Sequence, residues 1–426
     1  MNFLANDFQV IYRSPDPQNV FAFTPGIWVL ESGRYVFTND LGGPGSVELP
    51  EAQQIPEAPC GSRRVGQIFT SDDGGQSWQL RAIRNFAHAR PFEAGGCVYV
   101  LGQSKDLVIY RSEDGGETWD EGHWLTEGES WHQSACNTWI EDGYVTLVME
   151  NRFSREGEIK SGWDVAGIAP VVMRAKVTDD LTRRESWTFS NRVRFRDVVD
   201  EDTLDLHGIP FYPTRKHTEE YPEGTVLTHL PGWLESNIVR IMDPNHYWYD
   251  PDGKTFHIFM RAHTAGTGFC CMMKAVITEE DGHEVITVMP EVNPSGRRVV
   301  FLPMPGGQMR FHILWDEQTR LYWLLSTQST DSMTRKELLP AGRYNIPCDE
   351  RDRLMLSFSK NMVDWCFAGM VAQGETSKQS RHYACMAIEG DDLLIVSRTG
   401  DKDTKSAHNT NLSTLHRVKN FRELVY

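Results

Sequence analysis

No run of about 20 apolar residues occurs anywhere in the chain, which argues against a membrane-spanning helix. The first residues, Met1 to Phe8, lack a basic segment followed by a sustained apolar stretch, so no export signal is visible and a soluble, cytoplasmic protein is expected. Basic residues are in deficit. Against 59 Asp and Glu stand 43 Lys and Arg, and the formal charge of −16 repels a phosphate backbone, which sets nucleic acid aside as a partner. Cysteine is sparse too: eight are scattered, and the adjacent pair Cys270-Cys271 matches neither a metal knuckle nor a usual disulfide framework, so free thiols are expected. No HxH or HExxH spacing occurs, so no metal and no cofactor are expected. Nor is there a Ser/Gly linker or a low-complexity tract, which favours a single domain over 1–426, with about 188–231 as an insertion or long loop.

Aromatic residues are plentiful, with 13 Trp, and repetition is the strongest signal. Ser71-Asp72-Asp73-Gly74-Gly75-Gln76-Ser77-Trp78 returns 41 residues later as Ser112-Glu113-Asp114-Gly115-Gly116-Glu117-Thr118-Trp119. Degenerate copies run from Thr178 to Trp187 and from Ser359 to Trp365. The physics of such a turn is local: Asp and Ser side chains bond the turn's own N–H groups, Gly allows positive φ, and Trp packs inward. Between these turns lie six pairs of β-rich runs split by Gly or Asp-Gly turns, centred on Ser32-Gly33, Gly95-Gly96, Asp142-Gly143, Asp252-Gly253, Asp316–Thr319 and Gly390-Asp391. A period near 40 with one innermost hairpin per unit predicts an all-β fold, a six-bladed β-propeller. The orphan strand Asp7–Arg13 and the last run, Asn411–Val418, then close one blade from both chain ends and remove exposed edges.

Strand direction alternates within a blade, so the starts of inner strands and the ends of second strands share one face, opposite the repeated turns. That face is where chemistry is expected. It collects Asn39 and Asp40; His88 and Arg90; His132 and Gln133, with Glu150 and Asn151; Glu235 and Asn237, then Arg261 and His263; Gln308, Arg310 and Gln328; and Arg381, His382, Tyr383 and Arg398. Buried charges are costly unless paired, so this density points to a polar pocket.

The repeated turns resemble the Asp boxes of the sialidase (neuraminidase) superfamily, six-bladed propellers with an active site at the axis. In that family blade 4 carries a Glu near an Asn and then an Arg, which Glu235, Asn237 and Arg261 resemble. Blade 6 begins with a Tyr, which Tyr383 resembles. The resemblance implies Tyr383 as nucleophile and Glu235 as its base, with a further arginine at Arg351 or Arg353. It also implies departures: Phe23 stands where the family has its N-terminal arginine, and Cys60-Gly61-Ser62 where it has the acid/base Asp, leaving Asp40 or Glu57 to substitute. His88, His132, His263 and His382 are additional. A His beside Tyr and Arg suits proton abstraction from a uronate, which makes a polysaccharide lyase the alternative, and a non-catalytic sugar-binding propeller a third reading. Regular strand alternation places Arg381 and Tyr383 on one side and His382 on the other. The expected partner is a glycan, and the leading expectation is an exo-acting glycoside hydrolase for an acidic or modified terminal sugar, with catalytic roles for Tyr383, Glu235, His132, His88 and Asp40 and substrate contacts from the remaining arginines, His263, His382, Gln133, Asn237 and Gln308.

Overall fold

The computed structural model describes residues 2–132, 136–153, 165–200, 231–264, 266–335, 338 and 350–426. Six antiparallel sheets, each with a path of four strands, form the blades of a propeller. Blade 1 runs Gly26–Val29, Tyr35–Gly42, Val65–Ser71 and Gln79–Arg84; blade 2 runs Ala87–Ala94, Cys97–Ser104, Asp106–Ser112 and His123–Trp124. Blade 3 is Thr138–Glu141, Tyr144–Arg152, Ile168–Lys176 and Thr188–Phe189; blade 4 is Gly232–Val239, Thr255–His263, Phe269–Glu280 and His283–Met289. Blade 5 is His312–Asp316, Leu321–Thr327, Arg353–Ser359 and Cys366–Gln373. Blade 6 takes Arg381–Glu389, Asp392–Thr399 and Leu412–Val418 from the end of the chain and Gln9–Arg13 from its beginning, paired Gln9 to Leu415 and Arg13 to Leu412. The two ends therefore close the ring as the orphan strands imply. All six inner hairpins fall at the expected turns. The stretch expected as an insertion opens with blade 3's own outer strand, because Thr188 and Phe189 pair with Arg174 and Met173; residues 201–230 lie outside the described part.

The apolar core is divided among the blade interfaces. Phe37 and Phe69 of blade 1 meet Leu394 and Val396 of blade 6, while Val98, Val100 and Tyr110 of blade 2 pack on Val36 and Ile68 of blade 1. Blades 3, 4 and 5 share a larger cluster that includes Trp233, Phe259 and Tyr322. Burying each such side chain contributes on the order of 2 kcal/mol, so the stability resides between the sheets.

The two repeated turns have the same wiring. Ser71 Oγ donates to Asp73 Oδ1 (2.9 Å) and accepts the Gly75 N–H (2.9 Å), Asp73 accepts the N–H and hydroxyl of Ser77, and Trp78 Nε1 donates to the Gly75 carbonyl. Ser112, Asp114, Gly116, Thr118 and Trp119 repeat each bond. Gly75 and Gly116 sit at φ +85° and +89°, which other residues rarely adopt. All seven cysteines among the described residues are free.

A second system of polar bonds runs around the axis. Thr38 Oγ1 of blade 1 donates to the Ala89 carbonyl of blade 2 (3.2 Å), and Arg90 of blade 2 donates to the carbonyls of Asn137 (2.6 Å) and Val148 (2.7 Å) in blade 3. Asn137 brackets Ile238 of blade 4 through both its carbonyl and its N–H, and Asn237 brackets blade 5 through the Phe311 carbonyl and the Ile313 N–H. Arg310 reaches the Ala384 carbonyl of blade 6 (3.0 Å), and Asn39 bonds Ser413 (3.3 Å) to complete the circuit. Inner strands diverge too much for a continuous backbone ladder between blades, so these side chains satisfy groups that would otherwise be buried unpaired.

Candidate active site

Three inner strands break their regular pairing near their starts. Blade 4 shifts register between Leu234 and Asn237, blade 6 between His382 and Cys385, and blade 2 between Ala87 and Arg90. In each break one non-glycine residue adopts positive φ: Glu235 at 63°, Tyr383 at 49° and His88 at 50°. Such a backbone costs about 1–3 kcal/mol per residue and persists where surrounding structure imposes it. The bulges re-aim those side chains, which is why the alternation expected at Arg381-His382-Tyr383 fails. Arg381 turns away to the carbonyls of Ser380 and Gly400 and over the Phe8 ring, whereas His382 stays with Tyr383, their rings 5.0 Å apart.

Tyr383 and Glu235 are 4% and 1% exposed, and Arg261 links them: its Nη1 is 3.4 Å from the phenol oxygen and 3.5 Å from the Glu235 carboxylate. Arg261 is itself held by a 2.8 Å bond from Nε to the Gln308 carbonyl. Three further guanidinium carbons surround the tyrosine ring, those of Arg398 at 5.2 Å, Arg351 at 5.6 Å and Arg310 at 5.8 Å. Burial, followed by the charge of Glu235, raises the Tyr383 pKa, while Arg261 and Arg351 pull the other way. At rest the phenol is therefore protonated. Arg398 also lies 4.0 Å over the Phe23 ring and donates to the His408 carbonyl; burial and then Arg351 lower its pKa to about 9. Of the two arginines proposed from blade 5, Arg351 reaches the site through a 2.9 Å contact with His382 Nδ1, whereas Arg353 pairs with Glu350 and Asp352.

Asp40 lies next to this cluster. It accepts the N–H groups of Thr24 and His88 (both 3.1 Å), and burial lifts its pKa to about 6. His88 shares a hydrogen with Thr24 Oγ1 and stands 5.6 Å from the His132 ring; burial, then nearby arginines, lowers its pKa to about 3, and burial holds His132 well below its usual range, so both are neutral. Glu57, the other expected substitute acid, is exposed and faces Arg63 at 3.5 Å.

Sequence reasoning placed Glu150 on the right face but gave it no role. Its carboxyl accepts both the N–H (2.9 Å) and the hydroxyl (2.7 Å) of Ser236, beside Glu235, and burial pushes its pKa to about 8. Nothing in a strand-end Glu announces that neighbour. Conversely, Arg90, Asn237 and Arg310, expected as sugar contacts, direct their polar groups to neighbouring blades. Gln308 accepts the Gly268 N–H (3.3 Å), His263 ends the strand that carries Arg261, and Gln133 lies outside the described residues.

No protein-family model matches the chain, and no curated protein matches it in sequence. Solved structures do match in fold. The NanB sialidase of Streptococcus pneumoniae, in complex with 2-[(3-chlorobenzyl)ammonio]ethanesulfonate, aligns over 97% of this chain and 71% of its own at 10% identity and a TM-score of 0.52. A Dyadobacter fermentans protein of unknown function aligns over 97% and 98% at 11% identity and 0.51. An alpha-L-arabinanase from Penicillium chrysogenum, complexed with arabinobiose, aligns over 99% of both chains at 12% identity and 0.49. The protein has a sialidase-like six-bladed propeller fold.

Proposed function

We propose that the protein is an exo-acting glycoside hydrolase that removes a terminal sugar bearing an anionic group. The carrying observation is the convergence of Tyr383, Glu235 and three arginines, 261, 351 and 398, at one end of the inner strands, two of the five on strained backbone. Guanidinium groups bind carboxylates in two-point fashion, and a surplus of buried positive charge favours an anionic ligand over a neutral one. Arg398, stacked on Phe23, supplies from blade 6 the cation that the resemblance looks for at position 23.

In the reaction the Tyr383 oxygen bonds to the anomeric carbon as the bond to the leaving oxygen breaks; Glu235 takes the phenolic proton and Asp40, with its raised pKa, protonates the leaving oxygen. Water then attacks the same carbon, gives its proton to Asp40 and releases Tyr383, which recovers its own proton from Glu235. A neutral phenol suits an anionic sugar because it avoids bringing a carboxylate against like charge.

A second reading rests on Glu150. A carboxyl held protonated to about pH 8 beside Glu235 is the acid and base arrangement of two-carboxylate glycosidases, which needs no tyrosine. The test is fluorogenic glycosides of acidic and of neutral sugars, assayed with Tyr383→Phe and Glu150→Gln. Release from acidic glycosides that disappears in Tyr383→Phe is the expected result. Release from neutral glycosides that survives Tyr383→Phe but not Glu150→Gln establishes the second reading, and an unsaturated product absorbing in the ultraviolet overturns hydrolysis in favour of elimination.

A further inference from the structure

The inner strands that carry Tyr383 and His88 near their starts end around a separate cavity on the face of the repeated turns. It has a volume of about 590 Å³, and Tyr383 and the cavity-lining Cys385–Ile388 are successive parts of one strand. Its walls carry an indole from alternate blades: Trp28 of blade 1, Trp139 of blade 3 and Trp315 of blade 5. His312 also lines it, 6% exposed, and among the described residues neither its Nδ1 nor the buried Nε1 of Trp315 has a hydrogen-bond partner. Unpaired polar atoms on a cavity wall are free to bond whatever fills it.

Charge separates the mouth from the floor. Glu31 and Glu93 line the cavity, and the Glu93 carboxylate accepts the Glu31 N–H, a neutral donor, at 3.0 Å. Glu141 and Glu317 lie there too, the first paired with Arg240 at 2.7 Å and bonded to Trp139, the second at 4.0 Å from Arg320. At the floor Arg90 is tied to blade 3 carbonyls, and burial together with Arg310 and Arg90 holds His312 neutral. Indole faces and carboxylates attract a cation, while neutral His312 receives a hydroxyl or other polar end.

We infer that this cavity binds a small organic cation: an ammonium group at the acidic, tryptophan-lined mouth, with an apolar body and a polar end directed at His312. Choline is the probe, and 3,3-dimethylbutan-1-ol, which has the same shape without the charge, is its control. Calorimetric titration of the full chain is expected to give saturable choline binding near 1 mM or tighter, with the neutral control at least about tenfold weaker. Glu93→Gln and Trp28→Ala should each weaken choline about tenfold or more, with folding checked by circular dichroism, while Tyr383→Phe leaves it unchanged. Glu93→Gln alters one half-buried carboxylate without changing its size and keeps the test valid should Trp28→Ala unfold. Absence of saturation at about 20 mM, equal binding of choline and the alcohol, or loss of binding in Tyr383→Phe would overturn the assignment. Failure of this site leaves the glycosidase proposal untouched, since the two are read on different variants.

Discussion

At the turn from Ser112 to Trp119 the hydrogen-bonding side chains find partners within a few residues of chain, and glycine occupies the position with the most demanding φ. Around Tyr383 the opposite holds: its neighbours come from blades 4, 5 and 6, and non-glycine residues occupy left-handed backbone at Glu235 and Tyr383. The turn is thus satisfied by its own sequence, and the site is strained by its surroundings. Strain concentrated where charge is concentrated is what pre-organisation for chemistry requires.

The largest effect that would sharpen this contrast is on rate. Tyr383→Phe removes one oxygen and is expected to lower kcat by roughly 10³-fold or more while leaving the melting temperature nearly unchanged, measured by steady-state assay and calorimetry. Full activity in that variant would break the comparison outright. Next is the pH dependence of stability. Burial raises Glu150 to about 8 from 4.5, so the folded protein holds a proton that the unfolded chain releases. Its contribution is fully present below about pH 4.5 and is lost as pH rises through about 8, on the order of a few kcal/mol. Denaturant titrations across that window should show the loss, and Glu150→Gln should flatten it.

Smaller effects belong to the structural circuit and to the turns. Arg90→Met strands the Asn137 and Val148 carbonyls inside the ring and should destabilise by about 2 kcal/mol or more in urea unfolding, a structural penalty unlike that of Tyr383→Phe. Ser112→Ala removes two bonds within one turn and is expected to cost about 1 kcal/mol with kcat unaltered. A change in kcat there would show that the two faces are coupled.

The six inner hairpins and the repeated turns were readable because their determinants are local: side-chain alternation, Asp-Gly and Gly-Gly turns, and a Ser-Asp-Gly-Trp wiring closed within eight residues. Parts of the site were readable for the same reason, since strand starts and ends can be assigned a face. What failed at Arg381-His382-Tyr383 was the assumption of an unbroken strand, and a bulge depends on what packs against it. Arg90, Asn237 and Arg310 looked like ligand contacts because a polar residue in an inner strand has the same sequence appearance whether its partner is a sugar or the next blade's carbonyl.

The sequence by itself thus determined the six-fold repetition and the turns, which follow from short-range backbone chemistry, and the joining of both chain ends in one blade, which follows from two orphan strands that would otherwise leave open edges. Only the tertiary structure decided which charged residues meet: Glu150 beside Glu235, Arg398 on Phe23, and Arg261 between Glu235 and Tyr383. Glu150 and Glu235 lie 85 residues apart along the chain, Phe23 and Arg398 375, and Glu235 and Tyr383 148, so these groups meet only once the ring has closed.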